Sequence, residues 1–311
     1  MPPPPRAPVD PRSIRADDLR YLLTVARARN RASAAAELGV DASTVTRRIR
    51  ALERALGTRL LQQGAAGWSL TERGRAVAES AHPIEAAVER AVGAVAGGDQ
   101  HVLRGNARVT APDAFGACFV APAMVRLRAA HPDLTVELLT ATRELNLHQS
   151  GFDVAITLGV PANARLVSEP VSDYSLGLYA AQHYLAEHGT PETLDEIRSH
   201  PLIWYVDSLL QVGELDLDKH LPGVTPTLMS TNVFAQVEAT RCGGGVGLLP
   251  AFVADRHGDL QRILPRAVDV RLTFSLAARR DRLASPTVLA LRDAVRAEVA
   301  GRRDELLPAV D

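Results

Sequence analysis

Lysine is nearly missing from this chain: of 35 basic residues only Lys219 is a lysine, and the rest are arginine. With 22 glycines and 20 prolines, that bias reads as genomic codon preference, and no chemistry follows from it. Aromatic residues make up only 4%, yet 46% of the chain is apolar, which excludes disorder. Two cysteines, Cys118 and Cys242, are too few for a disulfide framework and have no metal-ligand spacing, so a reducing cytoplasm is the expected compartment. No apolar run reaches the roughly 18 residues of a membrane span, and no membrane partner is expected. Met1 to Pro5 lack the apolar core of a signal peptide, so residues 1–14 read as a loose extended tail. A length of 311 residues predicts two to three domains.

Catalytic motifs are missing as well. There is no G-x-S-x-G elbow, no H-E-x-x-H and no P-loop. Gly243-Gly244-Gly245-Val246-Gly247 fails the G-x-G-x-x-G fingerprint, because Leu248 and Pro250 stand where a third glycine is needed. It also precedes a strand where the fingerprint follows one. His183 and His188 are five residues apart, one too many for a metal pair on one helical face. The chain therefore reads as no enzyme, with no cofactor and no metal.

What is present is an uneven charge. The total is near neutral, at −1, but residues 1–75 carry 14 arginines against 7 carboxylates, a net +7, and the remainder carries 21 basic against 29 acidic side chains, a net −8. A cationic head on an anionic body points to nucleic acid for the head. The competing reading is a solute-binding or enzymatic protein whose basic head docks another protein.

From Asp17 the head is helical in period, with Leu19, Leu22, Leu23 and Ala26 on one stripe. A second helix runs from about Ser33 to Leu38, stopped by a left-handed turn at Gly39, and Asp41 stands as the N-cap of a third. In the third, Val45, Ile49, Leu52 and Leu56 share one face, while Ser43, Thr46, Arg47, Arg50 and Arg54 occupy the other. One side packs and the other donates hydrogen bonds, as major-groove reading requires. A solvated basic face would look the same in isolation.

The order of the motifs narrows the choice. Asp18-Leu19-Arg20-Tyr21-Leu22, Ala35-Ala36-Glu37-Leu38-Gly39-Val40, Ser43-Thr44-Val45-Thr46-Arg47-Arg48-Ile49, Leu52 to Leu61 and Leu70-Thr71-Glu72-Arg73-Gly74 together resemble the N-terminal signature of LysR-type bacterial transcription regulators. The resemblance implies a winged helix-turn-helix over residues 15–74, with the third helix in the major groove and residues 62–70 as the wing. Its DNA-contacting set here is Arg31, Ser33, Ser43, Thr44, Thr46, Arg47 and Arg50. The chain departs from the family at Leu61-Gln62-Gln63 and Ala65-Ala66-Gly67-Trp68, where cationic wing contacts are lost, and at Arg31 and Ala42, where Ser and Gln are common. Operator preference is therefore its own.

Residues 75–98 read as a linker helix with a heptad-like seam of Val77, Ala81, Ile84, Val88, Ala91 and Val95, bent at Pro83 and ended by Gly97-Gly98. Such a seam pairs with a second copy or lies against its own body. The resemblance implies the first, a homodimer or homotetramer held through Val77, Ile84, Val88 and Val95.

Beyond Leu103 short β-rich runs alternate with helical ones, which predicts parallel α/β sheets. The strands expected are Ala107–Ala111, Leu134–Thr140, Phe152–Leu158, Leu176–Ala180, Leu202–Val206, Thr225–Met229, Val246–Leu249 and Val270–Leu276. The resemblance continues through Phe152-Asp153-Val154-Ala155-Ile156 and Tyr184 to Gly189, with Thr157 where an Arg is frequent. It implies a two-lobed effector domain over 104–303, similar to periplasmic solute-binding proteins: lobe one 104–170 plus 276–303, lobe two 171–275. The overall class is thus multidomain α/β. Ligands of open α/β sheets sit beyond strand carboxyl ends and at helix N-termini, which selects Asp113, Thr140, Thr142, Trp204, Ser230 and Asn232. Asn232 reads as a helix cap or a ligand donor, and Trp204 as core or ligand platform.

The function expected is sequence-specific binding of double-stranded promoter DNA, modulated by a small-molecule effector, an organic acid, with RNA polymerase as a further partner. A thiol-redox regulator built on Cys118 or Cys242 is the rival.

Overall fold

The computed structural model describes residues 10–28, 31–64, 67–95, 102–140, 152–161, 163–206 and 215–309. The chain divides into two compact units, Met1–His101 and Val102–Asp311.

In the first unit, α1 (Ala16–Ala28), α2 (Arg31–Leu38) and α3 (Ala42–Ala55) precede a hairpin of β1 (Leu61–Gly64) and β2 (Gly67–Leu70) and a long helix α4 (Glu72–Val95). Leu22, Leu23 and Val25 meet Val45, Ile49 and Leu52 in one buried cluster. Ala34 and Ala35, also buried, bring α2 close without strain. Gly39 adopts φ +63° between α2 and α3, a conformation L side chains rarely take. Asp41 stands at the start of α3, but its side chain makes no capping bond. The hairpin pairs antiparallel, Leu61 opposite Leu70 and Gln63 opposite Trp68. The Glu53 carboxylate on α3 accepts the Leu60 and Leu61 amides at 2.8 and 3.3 Å, fixing where the wing leaves the helix. Thr71 caps α4 by accepting the Gly74 amide at 2.9 Å, and a Cβ at Gly74 would overlap the Leu60 carbonyl.

Among its described residues the second unit holds nine strands in one sheet: β3 (Gly105–Ala111), β4 (Leu134–Thr140), β5 (Val154–Leu158), β6 (Leu166–Ala181), β7 (Leu202–Tyr205), β8 (Leu228–Ser230), β9 (Val246–Pro250), β10 (Leu260–Ile263) and β11 (Val270–Arg279). Their order is β4-β3-β5-β11-β6-β9-β7-β8, with β10 beside β6. The parallel pairing expected from the alternating pattern is found within each lobe, but it does not extend through the whole sheet. β3 pairs in parallel with β4 and β5, and β7 with β8 and β9, but β6 and β11 run antiparallel to each other. They carry the chain from one lobe to the other and back, so they must point in opposite directions. Their register shifts between Phe274 and Ser275, opposite Pro170.

Around the sheet lie a turn α5 (Asp113–Phe115), a π-helical stretch Gly116–Val120, α6 (Ala121–Ala130), α7 (Gln182–His188) and the helices Val233–Arg241 and Pro286–Gly301. One buried cluster runs through both lobes. At its centre Phe274 of β11 stacks on Tyr174 of β6 and packs at a tilt against Phe115, each at 4.2 Å between centroids. Few aromatics are present, and several are spent on this seam.

Candidate DNA interface and effector site

On α3 the buried face, Val45, Ile49 and Leu52, fixes which side chains reach solvent. Ser43, Arg47 and Arg50 are exposed, and Thr44 and Thr46 are half-buried. Thr46 donates to the Ala42 carbonyl at 3.0 Å, which ties it to its own helix. The guanidinium groups of Arg47 and Arg50 make no hydrogen bond or ion pair among the described residues. With Ser43, Thr46, Arg54 and Arg59 they line one open concavity beside the helix. Arg48, one residue on, turns back to Asp18 at 3.2 Å and lies over the Tyr21 ring at 5.8 Å. It braces α3 against α1, a role the helical period of α3 alone does not reveal. The signal was available in the acidic Asp17-Asp18 pair that opens α1. Ser33 on α2 is exposed, while the side chain of Arg31 lies outside the described residues.

The helix α4 is continuous through position 83. Val77 packs against the core of the head, beside buried Ala78 and Ala81, so its apolar surface is partly covered within its own unit. Ile84 is half-buried and Val88 is 41% exposed. The Val95 side chain lies outside the described residues.

In the body, Asp113 follows β3 after one intervening residue, Pro112, and is only 7% exposed. Its Oδ1 accepts the Ala114 amide at 2.8 Å, and its Oδ2 accepts the amide of Val233, the first residue of a helix in the other lobe, at 3.2 Å. The phenols of Tyr174 and Tyr205 lie close by. Burial pushes both hydroxyls well above their ordinary titration range, and the Asp113 charge adds to the rise. Asn232 caps the Val233 helix by accepting the Ala235 amide at 3.0 Å, and Ser230 Oγ accepts the Asn232 amide at 3.1 Å. Thr140 is exposed at the end of β4 with its methyl group against Gly116, and Thr142 lies outside the described residues.

Trp204 is corrected: it is 0% exposed and belongs to the core. Alternation along β7 sends Trp204 and Tyr205 to opposite faces, and it is Tyr205 that comes near Asp113. Thus Asp113, Ser230 and Asn232 gather around one helix start, joined by Tyr174 and Tyr205.

Both cysteines are free. Cys118 is buried in the π-helical stretch, its Sγ accepting from Arg256 at 3.2 Å and its carbonyl from Arg302 at 2.7 Å. Burial raises its thiol pKa despite these two guanidinium groups, which keeps it protonated. Cys242 is exposed at the end of the Val233–Arg241 helix. No helix among the described residues is long and apolar enough to cross a membrane.

A winged helix-turn-helix with a polar, arginine-bearing recognition face, in one chain with a two-lobed α/β body, defines a ligand-responsive DNA-binding transcriptional regulator. Residues 16–75 match the bacterial regulatory helix-turn-helix proteins of the lysR family, and residues 100–300 match the LysR substrate binding domain. The chain belongs to the LysR family of transcriptional regulators. A transcriptional regulator of Xanthomonas campestris is 26% identical over 278 residues, covering 84% of this chain and 78% of that protein. The regulator DmlR of Escherichia coli is 30% identical over 187 residues, covering 60% and 61%. Among solved structures, a full-length OxyR variant from Pseudomonas aeruginosa shares the fold with a TM-score of 0.69 at 18% identity, covering 91% and 97%. The full-length LysG of Corynebacterium glutamicum with bound effector Arg gives 0.61 at 19% identity, covering 93% and 99%.

Proposed function

We propose that this regulator reads its operator through α3 and that an effector in the body, between the two lobes, sets how strongly it does so. The observation that carries the DNA reading is the pair Arg47 and Arg50, exposed opposite the buried Val45 and Ile49 and without partners among the described residues. Arg donates two hydrogen bonds to a guanine edge, while Ser43 and Thr44 suit phosphate oxygens. Ser33 and Arg31 add contacts from α2. The role is regulatory, without catalysis, cofactor or metal, and cytoplasmic, with RNA polymerase as a further partner on the promoter.

The protein acts as a homodimer or homotetramer through α4. With Val77 used inside the head, Ile84 and Val88 supply the apolar seam, and a two-fold protein reads two half-sites about one helical turn or a multiple apart. Ile84→Asp is expected to shift the mass in light scattering toward the monomer. An unchanged mass would remove α4 from the interface.

The effector is a small organic acid held at the Val233 helix start by Asn232 and Ser230, with Thr140 across the cleft. Helix N-termini favour anions, and the bound effector in LysG is a small molecule held by the same fold. A thermal-shift screen of the full chain against metabolites suggested by neighbouring genes tests this. At 100 times its Kd a ligand adds about 2.7 kcal/mol and shifts Tm by a few degrees, and Asn232→Ala or Thr140→Val should reduce that shift. If no metabolite stabilises the chain while mild peroxide alters DNA binding through Cys118 or Cys242, the thiol switch replaces this reading.

A further inference from the structure

The Asp113 carboxylate has an unusual address. It bridges two helix starts in different lobes, its own at Ala114 and that of Val233–Arg241, 120 positions away in sequence. A buried carboxylate costs several kcal/mol unless hydrogen bonds and dipoles replace its water. Two backbone amide donors contribute to that here, and the positive end of the Val233 helix macrodipole favours the charge. The Val233 helix has nine residues, long enough for a directed dipole, and Asn232 already takes the Ala235 amide. Little of this helix start is left for a second anion while Asp113 remains. The buried phenols of Tyr174 on β6, a strand shared by both lobes, and Tyr205 on β7 feel the charge of the same carboxylate.

We propose that Asp113 is an internal latch: its carboxylate occupies the anion position at the Val233 helix start, so that an acidic effector binds there only when Asp113 leaves. This rests on the reading of the body as an organic-acid site and turns Asp113 from a ligand contact into the ligand's competitor. Without effector the latch holds the lobes together. With effector, the incoming carboxylate takes the Val233 amide and Asp113 is released toward water or its own helix. The apparent affinity for the acid is then lower than the intrinsic one by the factor with which the latch is closed. Asp113 becomes a selectivity device: weak monoanions fail to displace it, and acids with further contacts to Asn232, Ser230 or the tyrosines succeed.

The test is amide hydrogen exchange at Val233 in the full chain, for wild type, Asp113→Ala and Asp113→Asn, with formate as the probe anion. A charge-assisted hydrogen bond of ordinary strength protects its donor about 10- to 100-fold, so exchange at Val233 should rise by that factor in Asp113→Ala and by less in Asp113→Asn. Millimolar formate should restore protection in Asp113→Ala by filling the vacated position, leave the wild type unchanged, and be matched by no effect of sodium chloride at equal ionic strength. Equal Val233 exchange in all three folded proteins overturns the latch. Formate that protects wild type and Asp113→Ala alike, or that fails to protect Asp113→Ala, overturns the competition. Should Asp113→Ala not fold, the near-isosteric Asp113→Asn decides the first point alone, and wild-type exchange against formate the second. Formate rescue of the variant, with no metabolite stabilising the wild type in the thermal-shift screen, would leave the latch standing and remove the effector reading instead.

Discussion

Arg47 and Arg48 are neighbours in sequence with opposite fates. A helix turns 100° per residue, so one guanidinium faces solvent while the next reaches Asp18, which is 5% exposed at its side chain, and the Tyr21 ring. Arg48→Ala leaves the Asp18 carboxylate buried without this partner. The head should lose about 1–2 kcal/mol, the low end of what an unpaired buried charge costs, because the Arg48 side chain keeps 27% of its exposure. Urea unfolding measures it. The salt dependence of DNA binding should stay as in wild type, since no phosphate contact is removed. A lowered salt slope would move Arg48 into the DNA interface.

The elements that were legible in the sequence are those with a clean period. Val45, Ile49 and Leu52 mark α3 at helical spacing, and Leu134 to Thr140 is bounded in the structure as the pattern predicts. β6 was legible only in its last residues, Leu176–Ala180, although it begins at Leu166. Its first half carries Pro170 and Asp173, which normally break a strand. Pro170 is accommodated at the register shift opposite Ser275, and the Asp173 carboxylate accepts the Thr273 hydroxyl across the ladder. The two tyrosines beside Asp113 escaped the sequence for the same reason: Tyr174 lies in β6 ahead of Leu176, and Tyr205 is told from Trp204 by strand alternation rather than by composition. Because Tyr174, Phe274 and Phe115 pack together where the lobes share strands, Phe274→Ala should cost the body about 3–5 kcal/mol. Fluorescence of Trp204 and far-ultraviolet circular dichroism should still report one coincident transition for the body. Two separated transitions would mean that the lobes fold independently and that the aromatic seam does not couple them.

At the scale of the molecule, a head of +7 and a body of −8 divide the labour between polyanion and small ligand. An effector shifts the equilibrium between DNA-bound states only by its differential affinity for them, and about 1.4–2.8 kcal/mol is enough for a 10- to 100-fold change. A single set of charged hydrogen bonds to a small ligand has that magnitude. The whole account requires first that α3 reads sequence. Fluorescence anisotropy of the full chain on the promoter beside its own gene, and on a scrambled duplex, across a range of salt and with Arg47→Ala, tests this most directly. If Arg47 reads a base, Arg47→Ala should weaken promoter binding by about 1–3 kcal/mol and narrow its preference over the scrambled duplex. If it holds a phosphate, both duplexes should weaken alike and the salt slope fall by about one. Unchanged affinity for both duplexes at every salt concentration would contradict the account, because it would take the exposed face of α3 out of DNA recognition.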